Sequence, residues 1–310
     1  MTIESHVQVQ IVTFNSAATL EACLASVVRQ THKRISLLII DNASMDESLS
    51  IAERYCDHAR VIRNRENSGY AAAHNQGFDV AIQDDVEAVL TLNPDVELAD
   101  DYVSACLSVL RQNDGVAGVT GKIVDASKPG TLDTTGIVIN RWFHAKDRGY
   151  GEIDVGQYDG QQYVSGVCGA AAIYSIESLR DFKEWRGYIL DESFISYKED
   201  VELSLVAQLR KWSFSYECKA QAIHHRGWKP GTKSAGLLRV QSQLNQFSLL
   251  WTFHDRNLMY IFLNLGEFAR CAILAIETGA YRRVFSSLHR VHTRAIQKRR
   301  AISLQKEMPR

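Results

Sequence analysis

The sequence has none of the features that mark a secreted, disulfide-stabilised protein. Its six cysteines are widely scattered and include no C-x-x-C pair, so we expect them to be reduced and mostly buried. The N-terminal segment carries Glu4 and His6 where a signal peptide would need a basic stretch and an apolar run. These absences lead us to expect a cytoplasmic protein.

Long uncharged apolar runs are absent too, as is an excess of charge of either sign. The best candidate for a membrane-spanning segment, residues 258–276, contains Glu267 and Arg270, so no such segment is expected. The chain has 35 Lys and Arg against 36 Asp and Glu, which gives no overall attraction to nucleic acid. We therefore predict no nucleic-acid partner.

Composition and length indicate a folded protein of enzyme size. Hydrophobic residues make up 45% of the 310-residue chain and charged residues 23%, close to an average globular protein. The first part of the chain alternates short apolar runs with segments of helical period, which is typical of βαβ units around a mostly parallel sheet. We predict strands near residues 7–12, 35–40, 61–62 and 86–92, and helices at residues 20–28, 48–55 and 70–82.

The remainder of the chain changes character twice. Residues 134–172 are glycine-rich and strand-like, and residues 201–210 return to a helical period, so both are expected to complete the same domain. Further on, the sequence is helical and apolar, and then strongly basic. We therefore divide the chain into an α/β domain at residues 1–236 and a C-terminal helical, basic appendage at residues 237–310.

Polar loops follow three of the predicted strands, at residues 13–16, 41–46 and 93–95. Ligands bind outside the carboxyl ends of the strands in open α/β sheets, so these loops are expected to converge. In the last of them, Asn93 and Asp95 place an amide beside a carboxylate, which a hard divalent cation would bridge to a diphosphate. An ordinary turn at residues 93–95 and helix capping by Ser44 or Asp46 are the alternatives.

Two later clusters contain residues suited to proton transfer or metal binding. Glu199 and Asp200 open a predicted helix, where a carboxylate would stay ionised and accept a proton from a hydroxyl. Acidic residues in a first helical turn also stabilise the helix without any chemical role. His224 and His225 offer imidazoles to a metal or a phosphate, and at most one should face the site, because strand neighbours point to opposite sides.

In this order the segments resemble the family 2 glycosyltransferases, particularly the bacterial rhamnosyltransferase-like branch that uses dTDP- or UDP-sugars. The resemblance implies a GT-A-type nucleotide-sugar-binding fold, with a mostly parallel central sheet flanked by helices. It rests on Val-Thr-Phe-Asn at 12–15, Asp-Asn-Ala-Ser-Met-Asp at 41–46, Asn-Ser-Gly-Tyr-Ala-Ala-Ala-His-Asn-Gln-Gly at 67–77, Leu-Asn-Pro-Asp at 92–95, Ser-Gly-Val-Cys-Gly-Ala-Ala at 165–171, Glu-Asp-Val-Glu-Leu at 199–203 and the late histidine.

The resemblance also implies roles for individual residues. Asp200 matches the general base, with Glu199 as its neighbour, and Asp95 would hold Mg²⁺ or Mn²⁺. His224 matches the histidine that faces the metal or the phosphate, with His225 as the competing choice. Many relatives have Asp-x-Asp where this chain has Asn-Pro-Asp, so one metal carboxylate is missing. The donor nucleotide would be bound by Thr13, Asn15, Asp41, Arg65, Gly69 and Asn93.

The implied activity is inverting, metal-dependent transfer of rhamnose or a related hexose from a dTDP- or UDP-sugar. The acceptor would be a hydroxyl of a saccharide or lipid-linked saccharide, in the synthesis of cell-surface polysaccharide or lipopolysaccharide. The alternative is a catalytically silent protein of the same fold that binds nucleotide sugars or carbohydrate. A nucleotidyltransferase is disfavoured, because no glycine-rich phosphate loop with a basic residue lies near the first strand.

Two interpretations of the basic C-terminal segment stay open. A basic amphipathic helix is suited to lie on an anionic membrane, which would make the protein peripheral on the inner face of that membrane. The same pattern is expected of a helix packed on the catalytic domain or in a homodimer.

Overall fold

The structure is a computed structural model that describes residues 6–226 and 233–305. Within these residues, a ten-stranded sheet forms the centre of the fold, and a separate two-strand sheet joins β8 to β9. The strands are β1 (Val7–Thr13), β2 (Ile35–Asp41), β3 (Ala59–Arg63), β4 (Ala88–Leu92), β5 (Val96–Leu98), β6 (Val116–Asp125), β7 (Leu132–Thr134), β8 (Ile137–Ile139), β9 (Ala145–Asp147), β10 (Tyr163–Val164), β11 (Ala171–Ser175) and β12 (Ser213–His224).

The order of the strands in the main sheet is β10-β12-β6-β11-β4-β1-β2-β3. The part formed by β4, β1, β2 and β3 is parallel, as expected from the βαβ pattern of the sequence. The other part is mixed, because β11 runs antiparallel between β4 and β6, while β12 is parallel to β6. The predicted α/β fold with a mostly parallel central sheet is confirmed, with antiparallel strands added on one side.

Helices cover both faces of the sheet. The alternation of Val7, Val9 and Ile11 along β1 turns these side chains to one face, where they pack with the first, second and fourth helices. Between them, Gln8 and Gln10 are buried on the opposite face, where they hydrogen-bond to the third helix. The helices are α1 (Ala17–Val28), α2 (Ser48–Glu53), α3 (Tyr70–Gln83), α4 (Tyr102–Gln112), α5 (Ile176–Arg186), α6 (Glu199–Leu209), α7 (Lys233–Phe253), α8 (Leu258–Thr278) and α9 (Tyr281–Gln305).

The last three helices form a cluster with its own apolar core, which includes Leu244, Phe247 and Trp251 of α7. The same helix also packs inward, because Leu249 joins a second cluster with Phe194 and Val201. The helical, basic character expected beyond residue 237 is therefore present. Helix α7 begins at Lys233 and so crosses the predicted domain boundary, and residues 227–232 just before it lie outside the described residues.

One helix, α8, is long and apolar enough to cross a membrane by length and composition alone, and little of it is buried. This corrects the expectation that no segment could span. Glu267 and Arg270 interrupt the apolar run in the sequence, but Glu267 is turned inward, where it is only 3% exposed. Such a helix is weak evidence for a membrane span, because core helices of soluble proteins meet the same criterion.

Candidate active site

A cavity of about 950 Å³ opens at the carboxyl ends of β4 and β12. Its lining brings together segments that are far apart in the sequence, because the topology ends several strands at one edge of the sheet. The residues that line it include Asn93, Asp95, Asp147, Gly169, Lys198, Glu199, Asp200, His224, Arg226, Leu238 and Ser242.

Asp95 and His224 meet on one side of the cavity. The Nε2 atom of His224 lies 3.2 Å from Oδ1 of Asp95, and its Nδ1 lies 2.8 Å from Oδ2 of the buried Asp133. Burial disfavours the charged imidazole, but the hydrogen bonds and charges of the two carboxylates outweigh it and raise the pKa of His224 to about 9. The neighbouring His225 instead pairs with Glu97, so the structure turns His224 toward the cavity.

Asp133 also receives a charge-assisted pair of hydrogen bonds from Arg226, at 2.5 Å from Nε and 3.1 Å from Nη2. Burial opposes ionisation of Asp133, yet the hydrogen bonds from His224 and Arg226 hold its pKa below its usual range. The carboxylate of Asp133 therefore fixes the orientation of both cationic side chains.

Glu199 and Asp200 begin α6 on the other side of the cavity. Asp200 accepts hydrogen bonds from the backbone N–H of Gly169 at 3.3 Å and of Val201 at 2.8 Å. Burial nevertheless raises the pKa of Asp200 to about 6, since desolvation disfavours the charged carboxylate. Burial and the charge of Asp200 also raise the pKa of Glu199, whose Oε2 atom has no hydrogen-bond partner in the structure.

The segment leading to Asp200 has an unfavourable backbone conformation. Ile195, Tyr197 and Lys198 all have positive φ values, between 62° and 68°, which cost roughly 1–3 kcal/mol each for residues with a side chain. Tertiary contacts must hold such a segment in place. The backbone N–H of Tyr70 donates to the Ile195 carbonyl at 2.7 Å, next to Gly69, where a Cβ atom would lie only 2.8 Å from the same oxygen.

Helix α7 supplies the principal contact to this segment. The side-chain amide of Asn245, which is 3% exposed, donates to the carbonyl oxygens of Phe194, Ser196 and Tyr197 at 3.0, 3.0 and 2.7 Å. The next residue, Gln246, accepts a 2.6 Å hydrogen bond from Lys198. The C-terminal helices thus position the residues that precede Asp200.

Three basic side chains, Lys146, Lys198 and Arg226, line the same cavity as the carboxylates. Burial lowers the pKa of Lys198 to about 8, although the charges of Glu267 and Asp200 oppose this shift. A cavity that combines cations with ionisable carboxylates is suited to bind a phosphorylated ligand and to move a proton.

Thr13 and Asp41, two of the predicted nucleotide-binding residues, face each other in register at the ends of β1 and β2. Both are buried, and Thr13 Oγ1 and Asp41 Oδ1 have no hydrogen-bond partner in the structure. Buried polar atoms are usually hydrogen-bonded, so this pair is suited to bind a polar ligand group at the edge of the sheet.

The other predicted nucleotide-binding residues are distributed around these strand ends. Asn15 has a φ of 53° and accepts a 2.8 Å hydrogen bond from the backbone N–H of Met45, while Arg65 is exposed in the loop after β3. Of the six predicted residues, only Asn93 lies in the lining of the cavity, so the structure divides them between the cavity and the neighbouring loops.

Several residues of the site were not predicted from the sequence. Asp133 and Asn245 lie in segments with no recognisable motif, and they reach the site across 91 and 48 positions of sequence. Lys198 directly precedes the predicted Glu199, and its position at the start of an acidic helix is the sequence signal that points to it. Its contact with Gln246 and its place in the cavity wall depend on distant segments.

The residues present fit a divalent cation held by few protein atoms. No group of three or more His, Cys, Asp or Glu suited to a metal occurs in the described part of the chain. Asp95 nevertheless offers an oxygen at this point, and His224 would offer its Nε2 nitrogen once a metal ion displaces the proton that the two carboxylates otherwise hold on the imidazole. Asp133 behind the imidazole is a typical outer partner of a metal-binding histidine. Diphosphate and water oxygens would complete the coordination of Mg²⁺ or Mn²⁺.

A sequence model described as Glycosyl transferase family 2 matches residues 8–182, more than half of the chain. The chain therefore belongs to glycosyl transferase family 2, as its motifs predicted. Among curated proteins, it is similar to a cholesterol galactosyltransferase of Borreliella burgdorferi, with 39% identity over 77 residues. The match covers 24% of this chain and 22% of that protein, so the chain corresponds to about a fifth of its relative.

Two solved structures are similar in fold. The structure of GalNAc-T7 with UDP, GalNAc and Mn²⁺ has a TM-score of 0.61 and 14% identity, covering 83% of this chain and 49% of that one. The mannosyltransferase PcManGT from Pyrobaculum calidifontis, in complex with GDP-Man and Mn²⁺, has a TM-score of 0.56 and 15% identity, covering 96% and 88%. At these identities the similarity concerns the fold alone, which is the predicted GT-A type.

The contact between α7 and the strained segment can be tested with Asn245→Asp. This change keeps the size of the side chain but replaces the amide donor with an oxygen near three carbonyl oxygens. We expect the free energy of unfolding to fall by about 1–3 kcal/mol. Amide hydrogen exchange should also accelerate at residues 194–198.

Chemical denaturation and hydrogen-exchange mass spectrometry measure the two effects. The control is Asn140→Asp, an isosteric change at an exposed position after β8, which should leave both quantities unchanged because the Oδ1 that accepts from the backbone N–H groups of Trp142 and His144 is kept. Equal stability and equal exchange in Asn245→Asp and the wild type would show that α7 does not hold the segment.

Proposed function

We propose that the protein is an inverting glycosyltransferase that moves a sugar from a nucleoside-diphosphate donor to an acceptor hydroxyl. The observation that carries this proposal is that Asp95 and Asp200 line one cavity. Asp95, a carboxylate suited to metal and diphosphate, lies there together with Asp200, a half-buried carboxylate of raised pKa, as a single displacement requires.

Asp200 is the proposed general base. Once ionised, it takes the proton from the acceptor hydroxyl, which attacks the anomeric carbon from the face opposite the leaving diphosphate. The bond to the acceptor oxygen forms as the bond to the diphosphate oxygen breaks, so the configuration inverts. Glu199, with its pKa raised by burial and by the charge of Asp200, keeps the surroundings of the base from becoming more negative at neutral pH.

Asp95 and His224 are the proposed metal-binding residues. Mg²⁺ or Mn²⁺ bound there would neutralise charge on the departing diphosphate. Lys198 and Arg226 line the same cavity, and we assign to them the stabilisation of phosphate oxygens. The related fold in the GalNAc-T7 and PcManGT structures, both solved with Mn²⁺, supports this assignment.

Thr13 and Asp41 are the proposed nucleoside contacts, because their unpartnered buried oxygens lie at the ends of adjacent strands. Asn15, Arg65, Gly69 and Asn93 would complete the donor site. We infer a dTDP- or UDP-sugar donor, rhamnose or a related hexose as the transferred sugar, and a saccharide or lipid-linked saccharide acceptor of the cell surface. A panel of these sugar nucleotides, tested for thermal stabilisation with Mn²⁺, would identify the donor.

The base assignment predicts the behaviour of Asp200→Asn. This variant should bind the donor as the wild type does, while turnover falls by about 10²–10⁴-fold, because the acceptor proton has no recipient. Donor binding is measured by calorimetry, and turnover by release of nucleoside diphosphate. Asp79→Asn, at an exposed ion pair with Lys183 on the surface, is the control and should keep full turnover. Near-normal turnover in Asp200→Asn would refute the assignment.

The raised pKa of Asp200 predicts the pH dependence of turnover. The ionised carboxylate is the active form, so kcat should rise as pH increases through about 6 and should be lost below it. An aspartate of ordinary pKa would already be ionised between pH 5 and 7, so kcat would not change with pH there. The measurement is kcat from pH 4.5 to 8 at saturating donor. A constant kcat between pH 5 and 7 contradicts the proposed base.

The metal assignment predicts that Mn²⁺ strengthens binding of the nucleoside diphosphate to the wild type and that EDTA abolishes the gain. In Asp95→Asn this gain should fall by about tenfold or more, because the proposed carboxylate ligand is gone. Calorimetric titration of UDP and dTDP with and without Mn²⁺ measures the gain independently of turnover. The control is Asp100→Asn, on the exposed surface, which should show the gain of the wild type. An undiminished gain in Asp95→Asn would place the metal elsewhere.

A further inference from the structure

The solvent side of α8 carries a continuous apolar stripe. Helix α8 has 21 residues and is about 30 Å long at 1.5 Å per residue. Along it, the side chains of the stripe are between 44% and 70% exposed. At 3.6 residues per turn they fall within an arc of roughly 120°. The six residues that define the stripe are Leu258, Ile261, Phe262, Leu265, Phe268 and Ile276.

The charged residues of α8 lie outside this arc. Glu267 is on the opposite side of the helix, where its carboxylate contacts His144 at 2.8 Å, Gln243 at 2.6 Å and Arg270 at 2.7 Å. Glu277 pairs with Arg239 of α7. Glu267 therefore fixes α8 to the protein, while Arg270 and Glu277 are exposed beside the stripe and outside its arc. The stripe itself is left without charge. Monomeric soluble proteins seldom expose so extended an apolar surface without a partner.

The adjoining helix indicates the chemistry of that partner. Helix α9 packs against α7 and α8, and it contains seven Lys and Arg and no Asp or Glu. The whole chain has 35 basic and 36 acidic residues, so the rest of the chain is acidic and positive charge is concentrated on α9. Arg282, Arg290, Arg294 and Arg300 are exposed. A second copy of the chain bound at the stripe would bring two such positive helices to one interface, where they repel.

We propose that the stripe on α8 and the arginines of α9 dock the protein onto an anionic lipid bilayer. The apolar side chains enter the boundary between headgroups and acyl chains, and the arginines contact acidic headgroups. This proposal concerns a surface outside the cavity and does not depend on the transfer chemistry.

The inner side of α8 connects the proposed docking surface to the cavity. His144, which contacts Glu267, directly precedes β9, and Ala145, Lys146 and Asp147 of that strand line the cavity. A bilayer bound at α8 would therefore lie close to the wall of the candidate active site. An acceptor anchored in lipid would meet this wall without leaving its membrane.

Flotation of the full chain with lipid vesicles tests the proposal. The wild type should float with vesicles of phosphatidylcholine and phosphatidylglycerol, and much less with phosphatidylcholine alone. The double variant Phe262→Glu with Leu265→Glu should reduce partitioning by about tenfold or more, because two exposed apolar side chains that would enter the bilayer are replaced by charges that the anionic surface repels.

The matched control is Val28→Glu with Val155→Glu. These residues are 54% and 78% exposed, on α1 and in the loop before β10, and their replacement should leave vesicle binding unchanged. Circular dichroism melting checks that both double variants fold. Asp200→Asn should float as the wild type does, and the α8 variant should keep nucleoside diphosphate release. A failure of the docking proposal can therefore be told apart from a failure of the proposed function.

Three outcomes overturn the proposal. The first is a wild type that stays in the soluble fraction with anionic vesicles, and the second is an equal loss of binding in the control. The third is a wild type that light scattering shows to be a dimer, which the α8 changes dissociate while vesicle binding is absent. That result would assign the stripe to a second copy of the chain.

Discussion

The hydrogen bonds from Asn245 to the segment before α6 are the interaction on which the geometry of the site depends. Three residues with positive φ precede Glu199 and Asp200, and an isolated chain would leave that conformation. The side-chain amide of Asn245 donates to the carbonyl oxygens of Phe194, Ser196 and Tyr197 and so fixes the direction of these carbonyl groups. The side chain of Asp200 is thereby turned toward the N–H of Gly169 and into the cavity.

A second network acts in the same way on the opposite side of the cavity. Asp133 holds His224 and Arg226, and His224 then faces Asp95. Each side thus consists of a residue with a proposed chemical role and a buried polar residue that orients it. Burial strengthens these hydrogen bonds and also produces the raised pKa values of Asp200 and Glu199.

Local patterns in the sequence are sufficient to predict the first strand, the edge of the sheet that carries the site and the position of Asp200. Alternation in Val7, Val9 and Ile11 predicted the first strand, and polar residues after the apolar runs predicted the edge of the sheet where Asp95 lies. The acidic start of α6 indicated Asp200 in the same manner. These features depend on neighbours in sequence, so one chain is sufficient to find them.

The orienting residues could not be predicted, because their role depends on contacts between distant segments. Asp133 reads as part of a turn-rich stretch, and Asn245 as one polar residue in a helix. The expectation for residues 258–276 rests on the number of charges along the sequence, whereas the helical period places the carboxylate of Glu267 on the inner side of α8. A projection of the sequence onto a helix would have separated the charged side from the apolar one.

The position of α7 bears on the order in which the protein becomes functional during synthesis. Leu238 and Ser242 form part of the cavity wall, and Asn245 fixes the segment that carries Asp200, although all three follow the last strand of the sheet. A nascent chain that has completed β12 would have its sheet but not this wall. The ribosome must therefore release α7 before the cavity can take its final shape. Ligand binding is delayed to a stage at which the whole sheet is already available to fold.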